Sequence, residues 1–253
     1  MAWYGTEPSC SWKVVVCRHN EDPSWLRMFR GEEVEILNKG GPLPWTGVGW
    51  KVTQLTNVGR ETQAFLWWIV ENYDRLPDVV CFLQGKATDH LGPKWTPFSR
   101  KNAEIGRLLN DSGENWLEVM VRYFLYRCRG ADRAEWICDI AQPDGLNANL
   151  TDGRILAWGG PMVPANMTMW EYFKGWVDIE GLVDKEEFDR GYVYWNSIFS
   201  VRKERILLRP REYYLSLLFS PTHHDHNNVE MIHFIERSWY YIFGLHLPLS
   251  VKV

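Results

Sequence analysis

The chain has 253 residues, 24% of them charged, and a formal net charge of −4. That length suffices for one sizeable core, and the charge balance offers none of the global basic field that nucleic-acid binding needs. Five cysteines, an odd count without Cys-x-x-Cys spacing, speak for a reducing, cytoplasmic compartment rather than a disulfide framework. The opening residues Met1 to Pro8 lack a basic region followed by an apolar core, so no secretory leader is expected. The longest apolar stretch, Ala64 to Val70, is too short to span a bilayer. Fifteen Trp, 11 Tyr and 11 Phe supply rings that fill cores and also stack on sugars and bases, and most are expected in the core.

In chain order, Trp12 to Cys17 is a compact β-branched run that ends in the polar cluster Arg18-His-Asn-Glu-Asp-Pro-Ser24. An apolar strand stopping at charged residues is the pattern of a central parallel strand with a ligand loop at its carboxyl end. Ser24 is expected to cap a short helix over Trp25 to Phe29, and Glu33 to Asn38 reads as a second strand ended by Lys39-Gly-Gly-Pro42. Gly40 to Lys51 reads as a loop. A helix follows from about Val58 to Tyr73, apolar on nearly all sides and so expected to be buried. Asp78 to Leu83 is the third strand. This alternation predicts an α/β sheet with crossover helices.

Beyond it, Ser99 to Leu109 reads as helix, ended by Asn110-Asp-Ser-Gly113, and the stretch from about 115 or 127 to 190 reads as a loop-rich lobe. Gly191 to Arg202 is a strand pattern, and Pro210 to Phe219 is a helix with proline near its start. Asn227 or Asn228 would cap a last helix running to about Phe243 and stopped by Gly244.

Several residues carry chemistry. Asn57 is a good N-cap type, and Gly59 permits close backbone approach. Arg60 would fall in the first helical turn, against the positive end of the helix dipole, and a cation placed there calls for an anionic partner: a ligand, or a surface carboxylate. His19, Asn20 and Glu21 offer donors and acceptors at the end of the first strand. Gln84, Gly85 and Lys86 do the same after the third. Asp89 and His90 are the candidates for a divalent metal, although two adjacent residues form a sparse ligand set. His223-His-Asp-His226 contains His223 and His226 at a zinc-like spacing, but its Pro, Thr and Asn neighbours read as a solvated linker. Glu236 shares a helical stripe with Ile232, Trp239 or Tyr240, and Phe243. It is either ion-paired internally, for instance with Arg60, or exposed in a cleft where desolvation would suit it to general-base work. Arg237 points to a different face.

Taken together, several motifs resemble a largely uncharacterised family of fungi, bacteria and large algal viruses. They are Val14-Val-Val-Cys-Arg-His-Asn-Glu-Asp-x-x-Trp25, Asn38-Lys-Gly40, Asn57-Val-Gly-Arg-Glu61, Asn72-Tyr-Asp-x-Leu-Pro-Asp78, Phe82-Leu-Gln-Gly85, Phe199-Ser-Val-x-x-Glu204, Arg209-Pro-x-Glu-Tyr-Tyr214 and Glu236-Arg-x-Trp-x-x-Ile-Phe-Gly244. The resemblance covers both ends of the chain and fades between about 100 and 190. That family is similar in layout to glycosyltransferases of the GT-A type, and distantly to rhamnan-synthesis transferases with an Asn-x-Gly-Arg-Asp element.

The resemblance implies one glycosyltransferase-like domain over 1–253. It would hold a nucleotide-binding half at about 10–100 on a GT-A-like, Rossmann-type sheet, an acceptor lobe at about 115–190, and a sheet-completing strand with C-terminal helices at about 191–253. The implied donor is a nucleotide-diphosphate sugar and the implied acceptor a glycan or other hydroxyl. His19, Asn20 and Glu21 would line the nucleotide pocket. Asn57, Arg60, Glu61, Gln84, Gly85, Lys86, His90 and Arg237 would surround the diphosphate and sugar, and Glu236 would activate the acceptor. Trp136, Trp158, Trp170 and Trp176 would stack on acceptor rings. Such enzymes usually hold Mn or Mg through Asp-x-Asp, which this chain lacks, so cations such as Arg60 or Lys86 would carry the diphosphate charge. Two other readings stay open: a non-catalytic carbohydrate-binding protein on the same scaffold, and a metal-dependent hydrolase using His90, His223 and His226.

Overall fold

The computed structural model describes residues 11–44, 46–87, 141–142, 165–189, 193–194, 197–220 and 232–247. Its centre is a mixed five-stranded sheet of β1 (Trp12–Arg18), β2 (Val34–Asn38), β3 (Lys51–Gln54), β4 (Val79–Gln84) and an antiparallel strand, Phe199–Arg202. A separate two-stranded pairing joins β5 (Ala141–Gln142) to β6 (Val193–Tyr194), so Phe199–Arg202 is β7. The strand order is β3-β2-β1-β4-β7, with the first four parallel. β2 and β3 therefore lie on one side of β1 and β4 on the other.

The Val-Val-Val run of β1 is buried on both faces because each face has a cover, which is why it shows no polar alternation. Val14 and Val16 face a layer with Leu26, Phe29, Ile36, Cys81 and Leu83. Val15 and Cys17 face the opposite layer, with Leu37, Phe82 and the helices. The first layer is closed by the 3-10 turn Ser24–Met28, with Trp12 and Trp25 packed against it. The second holds α1 (Arg60–Asn72) and two later helices, Arg211–Leu218 and Ile232–Ile242.

Between β5 and β6 run α2 (Met169–Tyr172), which passes into a π-helical turn at Phe173–Val177, and α3 (Lys185–Asp189). After β7 come α4 (Lys203–Ile206), α5 (Arg211–Leu218) and α6 (Ile232–Ile242). Nine of the eleven residues of α6 are buried, which makes it a core helix rather than a surface one. Rings join the layers: Phe65 and Phe82 lie 4.8 Å apart, Phe82 and its cross-strand neighbour Phe199 5.2 Å, and Phe199 and Trp239 5.0 Å. Trp68 and Trp239 are fully enclosed, so part of the tryptophan count is core packing.

Local details depart from the sequence reading. Residues 51–54 form an edge strand where only a preceding loop was expected; its short polar Lys-Val-Thr-Gln text pairs with β2 while its side chains stay largely exposed. Ser24 lies inside its turn and does not cap it: Asp22 accepts from the Ser24 amide at 2.9 Å and its hydroxyl at 2.8 Å, an Asx-type turn. The single strand expected over 191–202 is broken into β6 and β7, with Ser197 left-handed at φ 48° between them. Residues 165–189 are mostly helical turns rather than loop, started by a reciprocal Thr168–Glu171 capping box. The expected helix at Ser99–Leu109 and the Asn227/Asn228 cap lie outside the described residues. Among the described residues, no helix is long and apolar enough to cross a membrane.

Candidate functional site

β1, β2 and β4 all end at one edge of the sheet, and the chain order reverses between β1 and β4. In open α/β sheets the crevice outside the carboxyl ends of such strands is where ligands bind. Here the loops leaving the three strands are stitched together. The Lys39 amide donates to the Arg18 carbonyl and the Gly85 amide to the Cys17 carbonyl, both at 2.7 Å. Arg18 is only 4% exposed, and its guanidinium donates to Asn38 Oδ1 (2.6 Å) and to the carbonyls of Glu21 (2.8 Å) and Gly41 (3.0 Å). A buried cation spent on carbonyls is a scaffold element.

Two glycines make this closeness possible. A Cβ on Gly40 would fall 1.4 Å from the His19 carbonyl oxygen, and one on Gly85 would fall 2.7 Å from Glu21 Oε2. Glu21 in turn accepts from the His19 amide at 2.7 Å, and Trp25 Nε1 donates to the Gly85 carbonyl at 3.0 Å. The exposed His19 ring has its Nδ1 3.2 Å from the Asn20 side-chain amide and its Nε2 3.3 Å from that of Asn57. His19, Asn20, Glu21 and Asn57 thus form one polar rim.

Asn57 does not cap α1. The N-cap is Gly59, at φ 60°, and no side chain caps the helix. Arg60 follows, also left-handed at φ 49°, a conformation that costs a non-glycine residue roughly 1–2 kcal/mol. This turn is held from beneath by Lys39, a residue the sequence reading treated only as a strand terminator. Lys39 is 5% exposed, and its ammonium donates to the Val58 carbonyl, to the Arg60 carbonyl at 2.5 Å and to Gln63 Oε1 at 2.7 Å. Three donors meet three acceptors. Burial lowers the Lys39 pKa to about 8, against the opposing pull of Cys17 and Glu61. The Arg60 residue itself is exposed.

One residue on, Glu61 accepts from Gln84 Nε2 at 3.2 Å, which ties the start of α1 to the end of β4. Its pKa is raised, first by burial and then by the negative charge of Glu236. Glu236 is 9% exposed and contacts His233 Nδ1 at 3.0 Å. That i, i+3 spacing on α6 was readable in the sequence, where His233 was passed over. The edge of the sheet therefore gathers a left-handed turn at the exposed Arg60, a Glu61 carboxyl raised in part by the charge of Glu236, and an imidazole against Glu236.

The remaining residues sort as follows. Gln84 is half-buried, Gly85 is buried and Lys86 is exposed at the end of β4. Arg237 is 1% exposed and follows Glu236 on α6. Trp170 packs on Phe188 at 4.8 Å, and Trp176 is partly buried against the same core. Asp89, His90, Trp136, Trp158, His223 and His226 lie outside the described residues. Among the described residues, no three His, Cys, Asp or Glu side chains gather as a metal site. Cys17 and Cys81 are free and buried, and burial pushes the Cys17 thiol up to about 12.

No curated protein and no solved structure matches the chain. A family model described as a protein of unknown function, DUF3431, matches residues 14–108. The stretch from β1 through β4, with the His19–Glu21 rim, Lys39, the Asn57–Glu61 turn and Gln84–Lys86, is thus similar to an uncharacterised domain family.

Proposed function

We propose that the protein is a glycosyltransferase that moves a sugar from a nucleotide-diphosphate sugar to a hydroxyl acceptor such as a glycan. The observation that carries the reading is the meeting of an exposed cation, Arg60, with the Glu61–Glu236 carboxylate pair at the carboxyl edge of a parallel sheet where strand order reverses. In this reading the His19, Asn20 and Glu21 rim takes the nucleoside, and Asn57, Arg60 and Lys86 face the diphosphate. The GT-A likeness and the single-domain layout belong to the same proposal.

The chemistry divides among these groups. The acceptor oxygen attacks the anomeric carbon while the bond from that carbon to the phosphate oxygen breaks, and its electron pair leaves with the nucleoside diphosphate. The acceptor's proton passes to the Glu236 carboxylate, which His233 orients through Nδ1. Arg60 stabilises the charge that grows on the departing phosphate, where a fixed cation contributes most. Glu61, held by Gln84 Nε2, lines the sugar side of the pocket beside Arg60.

The test is a screen of nucleotide-diphosphate sugars scored for released nucleoside diphosphate, with and without manganese. Release by the wild type, with large losses in Arg60→Ala and Glu236→Gln, supports transfer. Glycan binding without release from any donor supports a carbohydrate-binding protein instead, and no donor binding at all refutes transfer.

A further inference from the structure

Among the buried polar groups of the site, Lys39 has no part in the chemistry above, yet it is placed with unusual economy. Two consecutive residues of the α1 entrance, Gly59 and Arg60, are left-handed. The carbonyls on either side of that pair, Val58 and Arg60, converge on one ammonium together with the Gln63 side chain. An ordinary helix start needs no such clamp, because its carbonyls point along the helix and are taken up within it. The clamp comes from the carboxyl end of β2, so it fixes the entrance of α1 to the sheet edge rather than to the helix itself.

We propose that Lys39 is the positioning residue that sets the aim of Arg60, holding the left-handed turn so that its guanidinium meets the diphosphate of the donor. The inference rests on the nucleotide-diphosphate reading given above. Lys39 acts through Arg60 and does not itself touch the ligand; its ammonium is already committed to three protein acceptors. The ionisable groups around it are the Cys17 thiol from β1 and the Glu61 carboxylate from α1, the latter favouring its charged form, with the Arg60 cation one residue from Glu61. Cys17 stays a thiol over the ordinary pH range, so the charge to be watched is that of Lys39 itself.

Hydrogen–deuterium exchange on the ligand-free protein tests the clamp alone. Amides over 57–63 should exchange about tenfold faster in Lys39→Met than in wild type, roughly the effect of losing one net hydrogen bond, and Arg60→Ala should leave them unchanged. Gln63→Ala, which removes a single acceptor, serves as the milder variant should Lys39→Met fold poorly, and should give a smaller rise. Unchanged exchange in both overturns the clamp.

Calorimetric titration with uridine, guanosine, adenosine and thymidine diphosphates tests the aim. Lys39→Met should weaken the diphosphate that binds wild type about tenfold, and should add less than about twofold in an Arg60→Ala background. Wild-type affinity should also fall as pH passes about 8, and the profile of Lys39→Met should be flat there. Full-strength binding by Lys39→Met alongside loss in Arg60→Ala overturns the positioning role and leaves the transferase reading standing. If wild type binds none of the four diphosphates, both fall, whatever the exchange experiment says about the clamp.

Discussion

The left-handed backbone at Arg60 allows a test that separates stability from function at one position. Two variants are compared, Arg60→Gly and Arg60→Ala, so that the side chain's own contacts are lost equally in both. At φ 49° an alanine retains a penalty of roughly 1–2 kcal/mol that glycine does not feel. Glycine gives back roughly 0.4–1 kcal/mol through its freer unfolded chain. The difference leaves Arg60→Gly more stable than Arg60→Ala by about 0.5–1 kcal/mol, or about 2 °C in Tm for a chain of this size. Urea and thermal unfolding measure it. Diphosphate binding should drop in both variants alike, by about 2 kcal/mol or some 30-fold for a lost charge-assisted contact. A strained backbone kept at a residue whose side chain is needed for binding is the mark of a functional site. Equal stability of the two variants would refute the strained turn. Undiminished binding in both would refute the role given to the guanidinium.

Two further predictions concern the core. Phe82→Ala, which empties the centre of the Phe65, Phe82 and Phe199 cluster, should cost about 3–5 kcal/mol in urea unfolding; a loss under about 1 kcal/mol would mean that the sheet and helix layers do not meet there. Cys17, buried and with its thiol pushed up to about 12, should resist alkylation at pH 8 in the native protein and react once denaturant is added, as read by peptide mass spectrometry; rapid native labelling of Cys17 would contradict its burial.

Where the sequence is legible, local and long-range forces agree. The Val-Val-Val of β1 and the Val-Val-Cys-Phe-Leu of β4 are apolar because sheet and cover both demand it, the Val-Glu-Ile-Leu of β2 departs from this only at Glu35, which pairs with Lys51, and all three were readable as strands. β3 was not, since an edge strand of four residues with exposed side chains leaves almost no hydrophobic signature. The N-cap at Asn57 followed propensity, whereas the actual entrance to α1 is a left-handed glycine and arginine held by a lysine 21 residues earlier than Arg60. Nothing local encodes that partnership; it appears only once β2 and α1 are packed. His233 is the opposite case. Its i, i+3 relation to Glu236 stood in the sequence, hidden by an apolar stripe that drew attention to the carboxylate alone.

The carboxylate pair gives the sharpest reason to look for chemistry at this edge. Glu61 and Glu236 come from different helices, and the Glu236 charge makes Glu61 harder to ionise beyond what burial already costs. Glu61→Gln keeps the shape and the oxygen that accepts from Gln84, but removes the charge. Because the folded-state pKa of Glu61 lies above its unfolded value, the native state binds more protons between the two, and its contribution to stability is fully present below the unfolded pKa and is lost as pH rises through the folded one. The wild type should therefore lose stability relative to Glu61→Gln as pH climbs out of the carboxylate range, and the variant should be the more stable at neutral pH. Parallel stability–pH curves for the two proteins would show that the Glu61 carboxyl is not held above its ordinary range. If the curves diverge as expected and nucleotide-sugar turnover collapses in the same variant, the buried carboxyl is retained for the reaction, since a fold selected for stability alone loses nothing by the exchange to glutamine.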